Sequence, residues 1–291
     1  MTQRTLPWAE LVGALAGLVL LLGCGSPALE QERSEPPAAL SSAALEQEKN
    51  EPPAALPAEL VAAWEKAGAT AGWTRVGNDG DPKFLSLKER PKAGDLPAFR
   101  FPHLARGVVP KLPDPAVPFG LNLFNAQVTD ARLKELAGLK TLQSLDLTLT
   151  QVTDAGLTEL AGLKSLKWLN LGSANVTDTG LTELAGFKTL QSLNLSFTKV
   201  TDAGLKELAG LKSLQSLHLV VTKVTDAGLK ELAGFKSLQT LNLSFTQVTD
   251  AGLKDLAGLK SLQTLHLGGT QVTDAGLKEL KKALPGCRII R

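Results

Sequence analysis

The tripeptide Val-Thr-Asp recurs at a constant interval of 24 residues, with no insertion or deletion between its copies. Its seven valines are Val128, Val152, Val176, Val200, Val224, Val248 and Val272. A repeat of this regularity is typical of a solenoid, in which each coil stacks on the preceding one. The spacing therefore predicts a repeat architecture, and it favours a binding or scaffolding role over an enzyme with a closed active site.

Each repeat unit contains one strand-like and one helix-like hydrophobic pattern. Leu145 and Leu147 alternate with polar residues, as in a short strand that buries one of its faces. Leucines spaced by three residues follow, and they predict a short helix with one apolar stripe. These are Leu157, Leu160 and Leu163. One unit is thus predicted to form a strand, a turn and a short helix, which together make one coil.

Two polar positions of the unit have expected structural roles. Thr150 is expected to be buried, with its hydroxyl bonded to the backbone of the turn. Asp154 directly precedes the apolar stripe, and it is expected to cap the amino end of the helix. A calcium site is disfavoured because these aspartates occur once per coil, whereas Ca²⁺ requires several converging oxygens.

The segment that begins at Leu142 reads L-x-x-L-x-L-x-x-T-x-V, and it resembles the signature of the leucine-rich repeat family. The resemblance covers residues 119–291. It implies an α/β fold: a right-handed solenoid, or horseshoe, with parallel strands on its concave face and short helices on its convex face. The Thr-Asp-Ala-Gly-Leu helix start is similar to ribonuclease-inhibitor-like repeats, as in bacterial exported leucine-rich repeat lipoproteins.

The amino terminus has the pattern of an export signal. Arg4 precedes an uncharged apolar stretch over residues 11–22, which is short for a membrane span and suits a signal peptide. The sequence Leu-Leu-Gly-Cys that ends at Cys24 resembles the bacterial lipobox. That resemblance implies removal of residues 1–23, lipidation of Cys24 and anchoring of an exported chain to a bacterial membrane, in the cell envelope or periplasm. Ordinary secretion and a short membrane anchor are the alternatives.

Two further segments precede the repeats. Residues 24–58 are rich in Pro, Ala and Glu, and residues 28–40 return almost unchanged 16 residues later. This composition predicts a disordered, solvated tether. Residues 59–118 gather aromatic residues and are expected to form an amino-terminal cap, with a helix over 59–67 and a degenerate repeat strand near Phe99. A separate small functional domain is the alternative.

At the other end of the chain, Cys287 replaces a core leucine in a shortened final unit. The final unit is expected to form a carboxy-terminal cap with a buried thiol. Because lipidation would consume Cys24, no disulfide is expected.

No motif for catalysis, metal binding or a cofactor is present in the sequence. The chain has three histidines and no tyrosine, and His218 and His266 occupy the same strand position two coils apart. Strand spacing places them roughly 10 Å apart, too far for one zinc ion. The 31 basic and 29 acidic residues are interspersed, which disfavours a nucleic-acid partner. We therefore expect no cofactor and no enzymatic activity.

A partner is expected to bind the concave face, where the repeats cease to be identical. The strand columns there carry small polar residues, and the column that contains Ser192 and Ser216 is expected to be open to solvent. Larger side chains interrupt this pattern and are predicted to anchor the partner. The predicted contact residues are Trp168, Phe197, His218, Val220, Val221, Phe245 and His266. For Phe197 and Phe245, inward packing at the strand-to-turn corner is the alternative.

These patterns predict a monomeric, lipid-anchored protein-interaction scaffold that binds a protein or a surface polymer. A passive structural coat is the first alternative, because the repeats are so nearly identical. A substrate-recognition protein of the F-box type is the second, and it follows only from the resemblance to ribonuclease-inhibitor-like repeats.

Overall fold

The computed structural model describes residues 52–291. The predicted signal peptide of residues 1–23, the predicted lipidation site Cys24 and most of the predicted tether lie outside the described residues.

Within residues 52–291, eleven strands form one open sheet in the order β11-β10-β9-β8-β7-β6-β5-β4-β3-β1-β2. The strands are β1 (Thr70–Val76), β2 (Pro82–Ser86), β3 (Leu96–Arg100), β4 (Phe119–Asn122), β5 (Leu142–Asp146), β6 (Trp168–Asn170), β7 (Ser192–Asn194), β8 (Ser216–His218), β9 (Thr240–Asn242), β10 (Thr264–His266) and β11 (Arg288–Ile290). Strands β3 to β11 are parallel, and β5 to β10 pair in register, so that Leu169 lies beside Leu145 and Leu193.

Short helices return the chain from the end of each strand to the start of the next. The repeat helices are Asp130–Leu136, Asp154–Glu159, Asp178–Leu184, Asp202–Glu207, Asp226–Leu232, Asp250–Leu256 and Asp274–Ala283. The leucines and valines of the two predicted stripes are almost fully buried along the whole array. The alternation of parallel strands and short helices in an open array confirms the predicted solenoid.

In the five coils that have a threonine at this position, its hydroxyl bonds to the turn, as expected; Ala126 and Ala174 occupy the position in the other two repeats. Thr150 Oγ1 donates to the carbonyl oxygen of Leu147 at 2.6 Å, and the equivalent bond recurs at Thr198, Thr222, Thr246 and Thr270. The hydroxyl thus donates to a carbonyl oxygen that lies just beyond the end of the strand, where strand pairing no longer supplies a donor.

The expected capping role of Asp154 is wrong, because its carboxylate bonds to the next coil and not to its own helix. Asp154 Oδ1 accepts the backbone N–H of Thr177 at 2.8 Å, and Oδ2 accepts the Thr177 hydroxyl at 2.6 Å. From the coil of Thr177 onward, the threonine itself caps the helix: for example, Thr201 Oγ1 accepts the backbone N–H of Ala203 at 3.3 Å.

This two-bond contact, which we call the Asp–Thr ladder, joins every pair of neighbouring repeat coils along the described chain. Its aspartate–threonine pairs are Asp130–Thr153, Asp154–Thr177, Asp178–Thr201, Asp202–Thr225, Asp226–Thr249 and Asp250–Thr273. The Val-Thr-Asp tripeptide therefore contains both halves of the contact: its threonine bonds backwards and its aspartate forwards.

From Asp154 onward, a glycine two residues after each aspartate leaves space for the carboxylate of the preceding coil's aspartate. A Cβ atom on Gly228 would overlap Asp202 Oδ1 and approach Leu205 Cδ1 to 3.0 Å. The same overlap with the preceding coil's aspartate recurs at Gly156, Gly180, Gly204, Gly252 and Gly276. The glycine at this position is thus explained by its packing against the aspartate of the preceding coil.

We predict that Gly228→Ala destabilises the fold by about 1–3 kcal/mol through overpacking, exceeding the gain of about 0.5–1 kcal/mol that alanine brings inside a helix. Gly234→Ala in the same coil is the matched control, since its Cβ would meet only Lys212 Nζ at 3.7 Å. Urea unfolding of both variants measures the difference. Equal stability of the two variants would contradict this account of the glycine.

An aromatic cluster closes the amino-terminal end of the solenoid. The helix Ala58–Lys66 supplies Trp64, whose ring stacks on Phe99 at 4.2 Å and meets Phe119 edge-on at 5.9 Å. Trp64 Nε1 donates to the carbonyl oxygen of Pro113 at 3.0 Å, so its polar atom is also satisfied. The predicted helix and the predicted strand near Phe99 are both present.

The antiparallel hairpin of β1 and β2 was not predicted. Strand β1 pairs with β3 on one side and with β2 on the other. Arg75, close to the turn of this hairpin, is held by two hydrogen bonds from Nε and Nη2 to the buried carboxylate of Asp95, at 2.9 and 2.8 Å.

At the carboxy-terminal end, Cys287 is 1% exposed, as expected, and β11 pairs with β10. Burial raises the pKa of the Cys287 thiol. The thiol is therefore an inert core group.

Candidate functional site: the concave face and its apolar edge

The β1–β2 hairpin lies across the concave strands and divides the open face into two cavities. On one side, a cavity of about 550 Å³ lies between Val76 and Leu96 of the cap and Trp168 and Gln215 of the repeats. On the other side, a cavity of about 370 Å³ is lined by Phe84 of the hairpin and by residues of β4 to β6. The concave face is therefore occupied by part of the same chain.

The turn of this hairpin, residues 77–81, is called the hairpin tip, and it contacts β7 and β8. Asn194 Nδ2 donates to Asp81 Oδ2 at 3.1 Å, and Ser216 Oγ donates to the carbonyl oxygen of Asp79 at 2.9 Å. His218 Nε2 lies 3.0 Å from the same carbonyl oxygen and 2.9 Å from Ser216 Oγ. Three side chains from two neighbouring coils thus converge on one turn.

The expectation that this polar face is open to solvent is wrong. His218 is only 5% exposed, and Ser216 beside it is buried. Ser192, in the same column, is also buried. His266 is half-buried two coils further on, and burial followed by the charge of His218 lowers its pKa. His218 therefore contacts a segment of its own chain at the position where a partner was expected.

Trp168 is half-buried at the wall of the larger cavity, and Lys167 Nζ lies 5.8 Å from the centroid of its ring. Val220 is half-buried as well.

The exposed members of the predicted set lie instead along one edge of the solenoid, directly after the strands. Phe197 is 58% exposed, Val221 43% and Phe245 65%; Leu149, at 49%, is in the same column, with Ser173 between it and Phe197. We call these four residues the apolar ridge. The alternative of inward packing for Phe197 and Phe245 is wrong. Because neighbouring coils are spaced by about 4.8 Å, Phe197 and Phe245 lie roughly 10 Å apart with Val221 between them.

The backbone holds the apolar ridge in a conformation that side chains rarely adopt. Phe197, Val221 and Phe245 have φ angles of 60°, 54° and 58°. The left-handed region is unfavourable for residues with a Cβ, and above all for a β-branched residue. Each N–H is bonded to the next coil, for example Phe197 N–H to the carbonyl oxygen of Val220 at 2.7 Å, so the conformation is imposed by the sheet.

Charged residues border the apolar ridge on one side. Lys199 and Lys223 are exposed, and each follows a ridge residue by two positions. The ridge therefore combines apolar side chains with a basic border over the coils of Phe197 and Val221.

Two carboxylates beside the smaller cavity are costly to ionise. Burial raises the pKa of Asp146, against hydrogen bonds from Thr148 and Asn122. Burial likewise raises the pKa of Asp81, which the charge of His218 opposes and that of Asp79 reinforces. Strand β5 thus carries a desolvated charge at a position where its neighbours β4 and β6 have the neutral Asn122 and Asn170.

We predict that Asp146→Asn stabilises the protein at pH 7. The unfolded carboxyl titrates near its ordinary value of 3.8, whereas the folded one titrates higher. Stability is consequently lost in the wild type as pH rises from 3.8 through the folded pKa. The variant lacks this loss, and Asn170 shows that an asparagine in this column accepts the N–H two residues later.

Urea unfolding at pH 7 and at pH 3.5 measures this effect, and the advantage of the variant should shrink at the lower pH. Asp202→Asn is the matched control: it removes a carboxylate oxygen from the Asp–Thr ladder, so it should destabilise the fold at pH 7. A less stable Asp146→Asn protein at pH 7 would contradict the prediction.

Two other kinds of site are not found in the described part of the chain. Over residues 52–291, no three His, Cys, Asp or Glu side chains are placed together to hold a metal ion. No helix in that range has the length and apolar character needed to cross a membrane.

The hairpin tip contains the functional residues that sequence reasoning missed, Asp79 and Asp81. Residues 78–82 read Asn-Asp-Gly-Asp-Pro between two segments that contain aromatic residues, which is a strong turn signal. The pattern could have predicted the hairpin. It could not have predicted that the turn contacts residues more than 110 positions away.

Comparison with family models agrees with the repeat pattern. A model described as "Leucine Rich repeats (2 copies)" matches residues 236–282. A model described as "Leucine Rich repeat" matches residues 138–161, 162–185 and 188–209. No curated protein matches the sequence.

Two solved structures from Listeria monocytogenes str. 4b F2365 are similar to this chain. One is an internalin (inlF), with 24% sequence identity and a TM-score of 0.45, and the match covers 59% of this chain and 53% of that one. The other is an internalin C2 (inlC2), with 29% identity and a TM-score of 0.46, and the match covers 58% of this chain and 80% of that one. The chain thus spans about half the length of the first.

Proposed function

This chain is a leucine-rich repeat protein, and we propose that it is a non-catalytic scaffold that binds a partner protein through the apolar ridge. Leucine-rich repeat proteins typically bind other proteins. The observation that carries the proposal is the row of exposed Phe197, Val221 and Phe245 on three successive coils.

The energetics of the ridge favour a binding role. Large apolar side chains gain nothing from exposure to water, and backbone strain at left-handed positions costs about 1–3 kcal/mol per residue. The stability of the monomer would be served better by glycine or asparagine. Gly269 occupies the equivalent position one coil beyond Phe245, with φ of 69°, so the turn itself requires no apolar residue.

The same features define the chemistry of the partner. Rigid aromatic residues at the centre of a contact are typical of interface hot spots. Lys199 and Lys223 border the ridge. The partner is therefore a protein with an apolar patch that has carboxylates on its rim.

Photo-crosslinking in cells that express the full chain tests this function. A photoreactive phenylalanine analogue at position 221 should crosslink to a discrete protein. The same analogue at Leu87 is the matched control, because Leu87 is an exposed apolar residue of the cap at 54%. Identical products from both positions would contradict a ridge-centred interface.

The identified partner then allows a direct measurement. We predict that Phe197→Ser and Phe245→Ser each weaken binding by at least about 1 kcal/mol, or roughly fivefold. Thermal stability should remain within the range of ordinary surface substitutions, since both rings are largely exposed. A double variant that binds as tightly as the wild type would show that the partner does not bind through the apolar ridge.

The proposal places the scaffold on a bacterial membrane through a lipid on Cys24. It is supported by the order of the apolar stretch, the lipobox-like sequence and the Pro-rich tether in the amino-acid sequence. The tether would hold the solenoid away from the lipid surface.

We predict that metabolic labelling with an alkyne fatty acid marks the wild-type chain and that Cys24→Ser abolishes the label. Cys287→Ser is the matched control and should retain the label, because that thiol is buried in the solenoid. Unlabelled wild-type protein with its amino-terminal methionine intact would contradict the anchor.

A further inference from the structure

The hairpin tip is held to the concave face by polar contacts alone. Its five residues are Gly77, Asn78, Asp79, Gly80 and Asp81, and none has an apolar side chain to bury. The strands that lead into the tip, in contrast, are fixed by pairing and by the Arg75–Asp95 ion pair. The tip can therefore separate from β7 and β8 without disturbing the paired strands.

The tip is a preformed turn with its own internal bonds. Gly77 N–H donates to the carbonyl oxygen of Asp81 at 3.0 Å, and Gly80 N–H donates to the carbonyl oxygen of Gly77 at 2.9 Å. The Asp79 carboxylate accepts the Asp81 N–H at 3.2 Å and Lys83 Nζ at 3.3 Å. The turn thus keeps its shape when its contacts with the repeats are broken.

The concave surface beneath the tip is shaped for this turn. Asn194, Ser216 and His218 direct three donor groups at one carbonyl oxygen and one carboxylate. Gly80, with φ of 80°, lies so close to Ser216 that a Cβ atom would overlap the Ser216 side chain. The fit excludes any larger residue at that point of the turn.

We propose that Asn194, Ser216 and His218 form a binding site for an acidic turn, and that the hairpin tip is an intramolecular ligand that must lift before a partner's turn can enter. The site is separate from the apolar ridge, so the proposal does not depend on binding through the ridge. The ligand is a protein turn of the Asp-Gly-Asp type. The site offers donors to one backbone carbonyl oxygen and one carboxylate, and it has space only for a residue without a side chain between them.

The buried carboxylate of Asp81 lacks part of its hydrogen bonding in the closed state, and this favours lifting of the hairpin tip. Asp81 Oδ1 is buried without a hydrogen-bond partner, although His218 Nε2 lies 3.5 Å away. Burial also disfavours its charge. A closed tip therefore retains an unsatisfied acceptor, and water can satisfy that acceptor when the tip lifts.

Thiol labelling measures lifting directly. In a Cys24→Ser background, Ser216→Cys introduces a thiol beneath the tip, and the native Cys287 thiol reports unfolding of the solenoid. Every protein compared carries this substitution, so the loss of the Ser216 hydrogen bond to the tip is common to all of them and the effect of Gly80→Ala is measured against it. We predict that the introduced thiol reacts with a maleimide at least about tenfold faster than Cys287, because lifting the tip leaves the core intact. Adding Gly80→Ala should raise the first rate at least tenfold and leave the second unchanged.

Equal rates at the two thiols, with or without Gly80→Ala, would overturn the proposal and make the tip a fixed part of the cap. Because both thiols are in one molecule, a variant that simply fails to fold is recognised by fast labelling of Cys287.

A cyclised peptide with the sequence of residues 75–84 tests the site itself. It should bind the Gly80→Ala protein at least tenfold more tightly than the wild type, whose own tip competes. Adding His218→Ala to Gly80→Ala should remove this binding, as should alanine in the peptide at the position of Asp81, which removes the acceptor for Asn194 Nδ2. Equal binding to both proteins, or to neither, would overturn the assignment of an acidic-turn site.

Discussion

The Asp–Thr ladder sets the distance between coils, and the rest of the solenoid depends on that distance. One aspartate accepts both the N–H and the hydroxyl of a threonine in the following coil, at 2.6–2.8 Å. A carboxylate bonded in this way tolerates little change in separation. Strand pairing on the opposite side imposes a similar spacing, so the coils are fixed at both faces. An inserted residue would break both contacts, which accounts for the constant 24-residue interval.

Much of the fold could be predicted from the sequence because the pattern that determines each coil lies within that coil's own 24 residues. The Leu145–Leu147 alternation and the stripe that begins at Leu157 are local signals, and seven copies repeat them. The role of Asp154 was predicted wrongly for a physical reason. An aspartate at a helix start ordinarily caps that helix. Here the backbone N–H and the hydroxyl of Thr177 in the neighbouring coil are the donors, and that contact cannot be seen in the sequence of one coil.

The candidate site could be predicted only where it belongs to the repeat. The exposure of Phe197 and Phe245 was one of two alternatives that the repeat pattern left open, because their position, three residues after each strand, lies outside the two leucine stripes. The burial of His218 does not, because it is caused by a turn more than 130 residues earlier in the chain. Strand alternation places a side chain on the concave face, but it does not determine what covers that face.

The two surfaces differ in the way that a partner would meet them. The apolar ridge is exposed and rigid, because its backbone is bonded to the next coil at every step. Association with such a surface requires no rearrangement of the solenoid. The polar site beneath the hairpin tip is available only to a ligand that displaces an internal competitor, so its apparent affinity is reduced by the fraction of closed molecules. A partner that contacts both surfaces could dock first on the ridge, which lies on neighbouring residues of the same coils. Its acidic turn would then compete with the tip at high effective concentration. This order follows because the apolar ridge is always accessible, whereas the polar site is accessible only when the hairpin tip has lifted.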